Sequence, residues 1–288
     1  MNIALKANIF HKGAELQLNR CLDHLLGKGV GVWVYRDLVP LIRQRQLPVL
    51  DDSGVPPEVS MMIALGGDGT VLSAARLVGE SELPIFGVNM GHFGFLTSSS
   101  IGEFIGDLDR ILAGDYQTEE RMVLAAEIIG PGAEERRYTA LNDFVLHKGS
   151  LTRPIVIDLK AGDELVGVFP ADGVIISTPT GSTAYSLSAG GPILFPLMQA
   201  VAITPICPHT LAVRPLVVPV EIPITVSERS SHRDVQLTVD GQESCSISEE
   251  DTIVIGRASH VTRLVKPFEG SFFFRLRSKL KWGERERN

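Results

Sequence analysis

The sequence predicts an α/β amino-terminal part, a doubly wound, Rossmann-like parallel sheet, followed by a mainly β carboxyl-terminal part. Three observations carry this. Strand-like and helix-like periods alternate over the first 115 or so residues, the pattern of parallel crossovers. One apolar strand runs directly into a glycine-rich turn and then a helical pattern. After Tyr116 the chain breaks into many short β-branched runs punctuated by Gly, Asp, Asn and Pro, which reads as an all-β architecture.

The elements follow in order. Residues 2–9 form a first apolar strand. Residues 14–26 carry Leu16, Leu18, Cys21, Leu22, Leu25 and Leu26 at mostly helical spacing and end at Gly27 and Gly29. A second strand covers 30–35, and 37–45 is a short helical candidate. The third strand, 59–65, meets Gly66 and a helix bearing Val71, Leu72, Ala75 and Val78; a fourth spans 84–88, and 101–113 is amphipathic. Ligands in such sheets sit beyond the carboxyl ends of the strands. Later strand candidates are 122–129, 137–147, 154–160, 164–169, 173–177, 211–213, 235–239, 252–257, 261–265 and 271–277. Only 182–190 and the last dozen residues read as helical. The expected organisation is therefore an α/β domain over 1–116, a β domain over 117–274, and a final helix, about 275–288, that packs back on the first domain. The basic tail from Arg275 reads as a solvated helix, with a phosphate-binding surface as the alternative.

With 288 residues the chain can bury a full core without staples. Hydrophobic residues make up 44% and charged residues 21%, which excludes whole-chain disorder. The formal charge of −7 argues against a nucleic-acid binder and against attraction to anionic lipid. Anionic substrates must then be held by local devices. Cys21, Cys207 and Cys245 are far apart and odd in number, and read as small buried hydrophobes of a reducing compartment. No signal-peptide pattern and no run of about 20 apolar residues is present, so the expected location is the cytoplasm, with no membrane partner.

The chemistry concentrates in four segments. Gly66-Gly67-Asp68-Gly69-Thr70 joins a strand to a helix start, where glycines admit a close ligand and unpaired N–H groups attract phosphate. An acid inside such a cradle serves chemistry, either by holding a divalent cation or by accepting a proton from an attacking hydroxyl; alternatively Asp68 is the N-cap of the helix. Asn89-Met90-Gly91-His92-Phe93-Gly94-Phe95-Leu96-Thr97 again follows a strand, its aromatics either packing on a ligand or turning into the core. Asn142-Asp143 interrupts a β-run with poor strand formers, either to meet sugar hydroxyls or an adenine edge, or to form a bulge. From Gly173 to Val213, 41 residues carry no Asp, Glu, Lys or Arg. This tract opens with six hydroxyl side chains between Ser177 and Tyr185, a composition suited to a ligand site or a subunit contact.

GGDGT, NMGHFGFLT, LND and DGVIISTPTGSTAYSLSAGGP occur in this order, and together they resemble the NAD kinases. GGDGT alone is shared with lipid kinases of the diacylglycerol and sphingosine type; the STPTGSTAYSLSAGGP block is far more specific. The resemblance runs from the first strand to residues 262–267. It implies transfer of the γ-phosphoryl of ATP, complexed with Mg²⁺, to the 2′-hydroxyl of the adenosine ribose of NAD. Asp68 would accept the proton and Gly69 contribute a backbone contact. Asn142 and Asp143 occupy the family's Asn-Glu pair, with Asp one methylene shorter. The resemblance further implies NAD contacts from Arg153, Asp172, Thr183, Ala184, Tyr185, Ser186, Leu187, Ser188 and Gln242, although a hairpin turn by itself explains the Asp240-Gly241 pair before Gln242. Pro170 departs from the charged residue that some relatives carry. The resemblance implies a homo-oligomer, dimer or tetramer. The rival readings are a lipid kinase sharing GGDGT, which needs a bilayer contact not evident in the sequence, and a non-catalytic dinucleotide sensor.

Overall fold

The computed structural model describes residues 1–43, 46–52, 54–91, 94–131, 136–149, 153–229, 234–268 and 270–281. The chain divides into two compact units, Met1–Glu120 together with the segment from Thr262 on, and Arg121–Val261.

The first unit is α/β. Its strands are β1 (Asn2–Ala7), β2 (Gly31–Tyr35), β3 (Val49–Leu50), β4 (Met61–Gly66), β5 (Ile85–Asn89) and β6 (Ser99–Ser100). Between them lie α1 (Ala14–Gly27) and α2 (Asp68–Val78), with α3 (Phe104–Leu112) after β6. All pairings are parallel, in the order β5-β4-β1-β2-β3, with β6 beside β5. Strands β1 and β4 are almost wholly buried, as a sheet covered on both faces requires. The chain winds outward from β1 to β2 and β3, and in the other direction from β4 to β5. The topological switch point therefore lies between the ends of β1 and β4, where doubly wound sheets bind ligands. The helical candidate at 37–45 is a 3-10 segment, Arg36–Leu41, with Pro40 inside it; proline removes the amide that an α-turn would need there.

The second unit is mainly antiparallel β. Its strands are β7 (Thr118–Ile129, which begins in the first unit), β8 (Arg136–Ala140), β9 (Asp143–Lys148), β10 (Ile155–Ala161), β11 (Glu164–Ala171), β12 (Gly173–Ser177), β13 (Ala200–Ile206), β14 (Leu216–Pro219), β15 (Ile224–Glu228), β16 (Val235–Val239), β17 (Glu243–Ile247) and β18 (Thr252–Val265, which ends in the first unit). One six-stranded sheet has the order β14-β13-β12-β9-β16-β17. A second set runs β11-β10-β15-β18. Phe144, Leu146, Val174, Ile176 and Leu237 from the first set pack with Ile157, Leu159, Val226 and Ile255 from the second in one apolar core, the arrangement of a sandwich.

Several sequence expectations shift. The run 137–147 is two strands separated at Leu141 and Asn142, and 252–257 and 261–265 are one strand. No strand covers 211–213; instead 200–206, 216–219, 224–228 and 243–247 are strands. Within 182–190 only α4 (Tyr185–Ser188) is α-helical, after a 3-10 turn at Gly181–Thr183. The expected strand 271–277 begins a helix, α5 (Phe272–Leu280), whose N-cap Ser271 accepts a hydrogen bond from the Phe274 N–H at 3.3 Å. Alternating Phe, Arg and Leu mimics a strand there, but a serine cap starts a helix. Arg275 in it is buried, so the tail is not uniformly solvated; residues 282–288 lie outside the described part. Only Cys21 of the three cysteines is buried.

Candidate active site

In the first unit, β4 delivers the chain to Gly66 and Gly67. A Cβ on Gly66 would lie 2.1 Å from Thr70 Oγ1, so the turn closes only with glycine. Gly67, at φ −147, is the N-cap of α2, and Asp68 is the first helical residue. The capping alternative for Asp68 therefore fails, because the acid stands one position too far into the helix. Its carboxylate instead accepts the N–H of Phe95 at 2.8 Å on Oδ2 and that of Leu96 at 2.9 Å on Oδ1. The Lys279 ammonium lies 3.7 Å from Oδ2, and 30% of the Asp68 side chain remains exposed. The described part of the glycine-rich NMGHFGFLT segment thus supplies amides to the acid; His92 and Phe93 lie outside the described residues. Beside this turn is a cavity of about 310 Å³ at the switch point, lined by Lys6, Asn8, Phe10, Gly67, Gly69 and Thr70 among others. The Lys6 ammonium sits 2.6 Å from Asp37. The start of α2, with its positive dipole end, faces this space.

In the second unit a cavity of about 500 Å³ is lined by Asn142, Asp143, Asp172, Ala184 and Tyr185. These five expected site residues come together where the chain enters β9 (Asn142, Asp143), β12 (Asp172) and α4 (Ala184, Tyr185). Arg153, Thr183, Ser186, Leu187, Ser188 and Gln242 are not among its lining. Arg153 and Gln242 are exposed. Ser186 is buried, its hydroxyl 2.9 Å from that of Thr204; the Thr183 hydroxyl donates to the Thr180 carbonyl at 3.2 Å. Ser182 donates to the Pro179 carbonyl at 2.6 Å and accepts the Leu194 N–H at 3.0 Å. The hydroxyl-rich loop after β12 thus spends much of its hydrogen bonding on nearby backbone groups, which satisfies a segment that has no strand partner of its own.

Four lining residues with polar or charged side chains fall outside the expected site: His147, Lys148, Thr238 and Asp240. Period two places Asp143, Val145 and His147 on one face of β9, a signal the sequence does contain. Lys148 pairs with Asp172 at 2.6 Å. His147 spans from the Lys148 carbonyl (2.8 Å) to the Thr238 hydroxyl (2.9 Å). Asp240 and Gly241 both have positive φ, 51 and 64, and the Gln242 N–H closes the turn on the Val239 carbonyl at 2.9 Å. The Asp240 carboxylate does more than turn the chain: it accepts the N–H groups of Leu141 (3.0 Å), Asn142 (2.7 Å) and Asp143 (3.1 Å). This nest is the reason for the break between β8 and β9. Asp143 is buried beside it, and burial first, then the Asp240 charge, pushes its carboxyl up to about 7. Among the described residues no group of three or more His, Cys, Asp or Glu side chains could hold a metal ion.

A glycine-rich turn with an acid at the switch point of a parallel sheet, and a second, polar-lined cavity of about 500 Å³, are the features of a nucleotide-dependent phosphotransferase. The model of the ATP-NAD kinase N-terminal domain matches residues 52–116, and that of the ATP-NAD kinase C-terminal domain matches 141–267. The chain is 45% identical over 264 residues to an NAD kinase of Geotalea daltonii, covering 92% of each, and 40% identical over 285 residues to one of Citrifermentans bemidjiense, covering 98% and 99%. The chain belongs to the NAD kinase family. Among solved structures it is similar to a yeast NADH kinase complexed with NADH, at 25% identity and TM-score 0.89 over 100% of this chain and 89% of that one. It shares its fold with an NAD kinase from Archaeoglobus fulgidus in complex with ATP, at 24% identity and TM-score 0.72 over 96% of each.

Proposed function

We propose that this chain transfers the γ-phosphoryl of ATP to the 2′-hydroxyl of the adenosine ribose of NAD, giving NADP, with Asp68 as the proton acceptor. The observation that carries the reading is the Asp68 carboxylate itself. Two backbone amides fix both oxygens, yet the side chain stays partly exposed at the head of α2. An acid serving only the fold would be closed off; this one is oriented and reachable.

In the reaction the ribose O–H bond breaks, its proton passes to Asp68, the oxygen bonds to the γ-phosphorus, and the bond to the bridging oxygen breaks to release ADP. The triphosphate lies against the Gly67–Thr70 backbone and the α2 N-terminus, with Lys6 on the same cavity wall. Mg²⁺ enters as part of the nucleotide substrate, its ligands supplied chiefly by phosphate oxygens and water. The dinucleotide occupies the cavity of the second unit. Asn142 and Asp143 meet ribose hydroxyls, Asp172 holds the dinucleotide, and Ala184 with the half-exposed Tyr185 covers it; Gly69, Arg153, Thr183, Ser186, Leu187, Ser188 and Gln242 complete the family's contact set. A homo-oligomer belongs to the same reading, and the exposed Phe195, Leu197 and Met198 of the uncharged tract suit a subunit contact. So does a cytoplasmic location, for three unpaired cysteines suit a reducing compartment. Among the described residues no helix is long and apolar enough to cross a membrane.

The test is a coupled assay for NADP formation with ATP or polyphosphate as donor. ATP-dependent NADP formation, lost on chelation, is the expected result. Asp68→Asn should lower turnover by about 10²–10⁴ while folding is intact. Transfer to a lipid extract but not to NAD, or NAD binding without turnover, overturns the reading.

A further inference from the structure

The clamp on Asp68 has a second support. Three α5 side chains, Phe272, Arg275 and Lys279, stand at i, i+3 and i+7, which puts them on one stripe of the helix. All three end on Phe95, the residue whose N–H holds Asp68. The Phe272 and Phe95 rings are 6.4 Å apart. The buried Arg275 donates from Nη1 to the Phe95 carbonyl at 2.6 Å. The Lys279 ammonium lies 4.7 Å from the centre of the Phe95 ring and 3.7 Å from Asp68 Oδ2.

Stability does not account for this lysine. Its side chain is 33% exposed and its partner 30%, and ion pairs so screened contribute little to folding. Nor does Asp68 need it for satisfaction, since two amides already bond its oxygens. What the ammonium adds is a fixed positive charge, docked on an aromatic face, beside the one carboxylate that must keep its aim when a polyanion arrives.

We propose that Lys279 is a positioning residue for the phosphoryl transfer: docked on Phe95, its ammonium steadies the Asp68 carboxylate, and helix α5 is part of the reaction machinery. The inference rests on Asp68 being the proton acceptor. It differs from a role in which the lysine touches the migrating phosphoryl group, because a positioning residue acts only through Asp68.

Three variants decide it. Lys279→Met keeps the aliphatic stem and removes the charge; its kcat should fall about 5- to 30-fold. Its KM values for ATP and NAD should stay within about twofold and its Tm should hold, because positioning acts in the transition state. Lys279→Arg should recover at least about half of the lost turnover, since it restores the charge at similar reach. Asp68→Asn combined with Lys279→Met should be no slower than Asp68→Asn alone, the signature of two residues acting as one unit. A Lys279→Met enzyme with unchanged kcat, or one that slows Asp68→Asn by the same factor as wild type, overturns the inference while leaving the base assignment in place. Near-normal turnover of Asp68→Asn alone overturns the base assignment and the inference with it.

Discussion

A Cβ placed on Gly94 would fall 1.8 Å from Oδ1 of Asp68 and 2.6 Å from its Cγ. Only a residue without a side chain lets the 94–96 backbone lie close enough to give its amides to that carboxylate. The obstacle is the end of a side chain rather than backbone, so an added methyl group would push the carboxylate aside and spare the fold. Gly94→Ala should therefore keep its Tm but lose turnover by about 10²-fold, the usual cost of misplacing a catalytic group by about 1 Å. Measuring kcat for NADP formation beside a thermal melt checks both halves. Unchanged kcat would show that the orientation set by the amides is not needed.

The buried carboxyl of Asp143 makes stability depend on pH. Its ordinary value is 3.8 and the folded protein raises it to about 7. Over that interval the unfolded chain has lost the proton that the folded one keeps, so the folded state binds more protons and stability falls as pH rises. This contribution is fully present below about pH 4 and gone above about pH 7. Asp143→Asn should flatten that slope, and Tm measured across the interval for both proteins tests it. A slope identical in the two would assign the effect to other groups.

Gly181 faces backbone instead. A Cβ there would meet the Asn142 carbonyl oxygen at 2.1 Å, its carbon at 2.5 Å and its Cα at 2.7 Å. Backbone held by the Asp240 nest has little room to yield. Gly181→Ala should destabilise the protein by about 1–3 kcal/mol, a fall in Tm of about 3–10 °C. It should also raise the KM for NAD, since the displaced backbone is that of Asn142 itself. An unaltered melt would mean that the loop and the β8–β9 break relax independently.

The parallel unit is legible because β1, β2, β4 and β5 are mainly apolar runs and α1, α2 and α3 carry apolar stripes; the two-residue strands β3 and β6 carry too few residues to show a pattern. The turn after β4 shows plainly as glycines around an acid. The β unit reads less well. Short strands such as Leu216–Pro219 and Glu243–Ile247 carry few residues each, and their identity comes from the neighbours they pair with rather than from their own pattern. The start of α5 is hidden for the same reason: FFFRLR alternates like a strand, so the sequence reads as helix only from about Arg275 on, and packing against Phe95 reveals the helical period before it.

By itself, then, the order of residues determined the α/β and β division, the glycine-rich turn with its acid, the polar pair at the start of β9 and the hydroxyl-rich loop, because each is a local property of composition and spacing. Tertiary structure alone decided what the acids do. Asp68 receives amides from a segment 27 residues away and a cation from the far end of the chain. Asp240 gathers three amides from nearly 100 residues upstream. Hydrogen bonds and charges act over a few ångströms of space, and chain distance does not enter their energy.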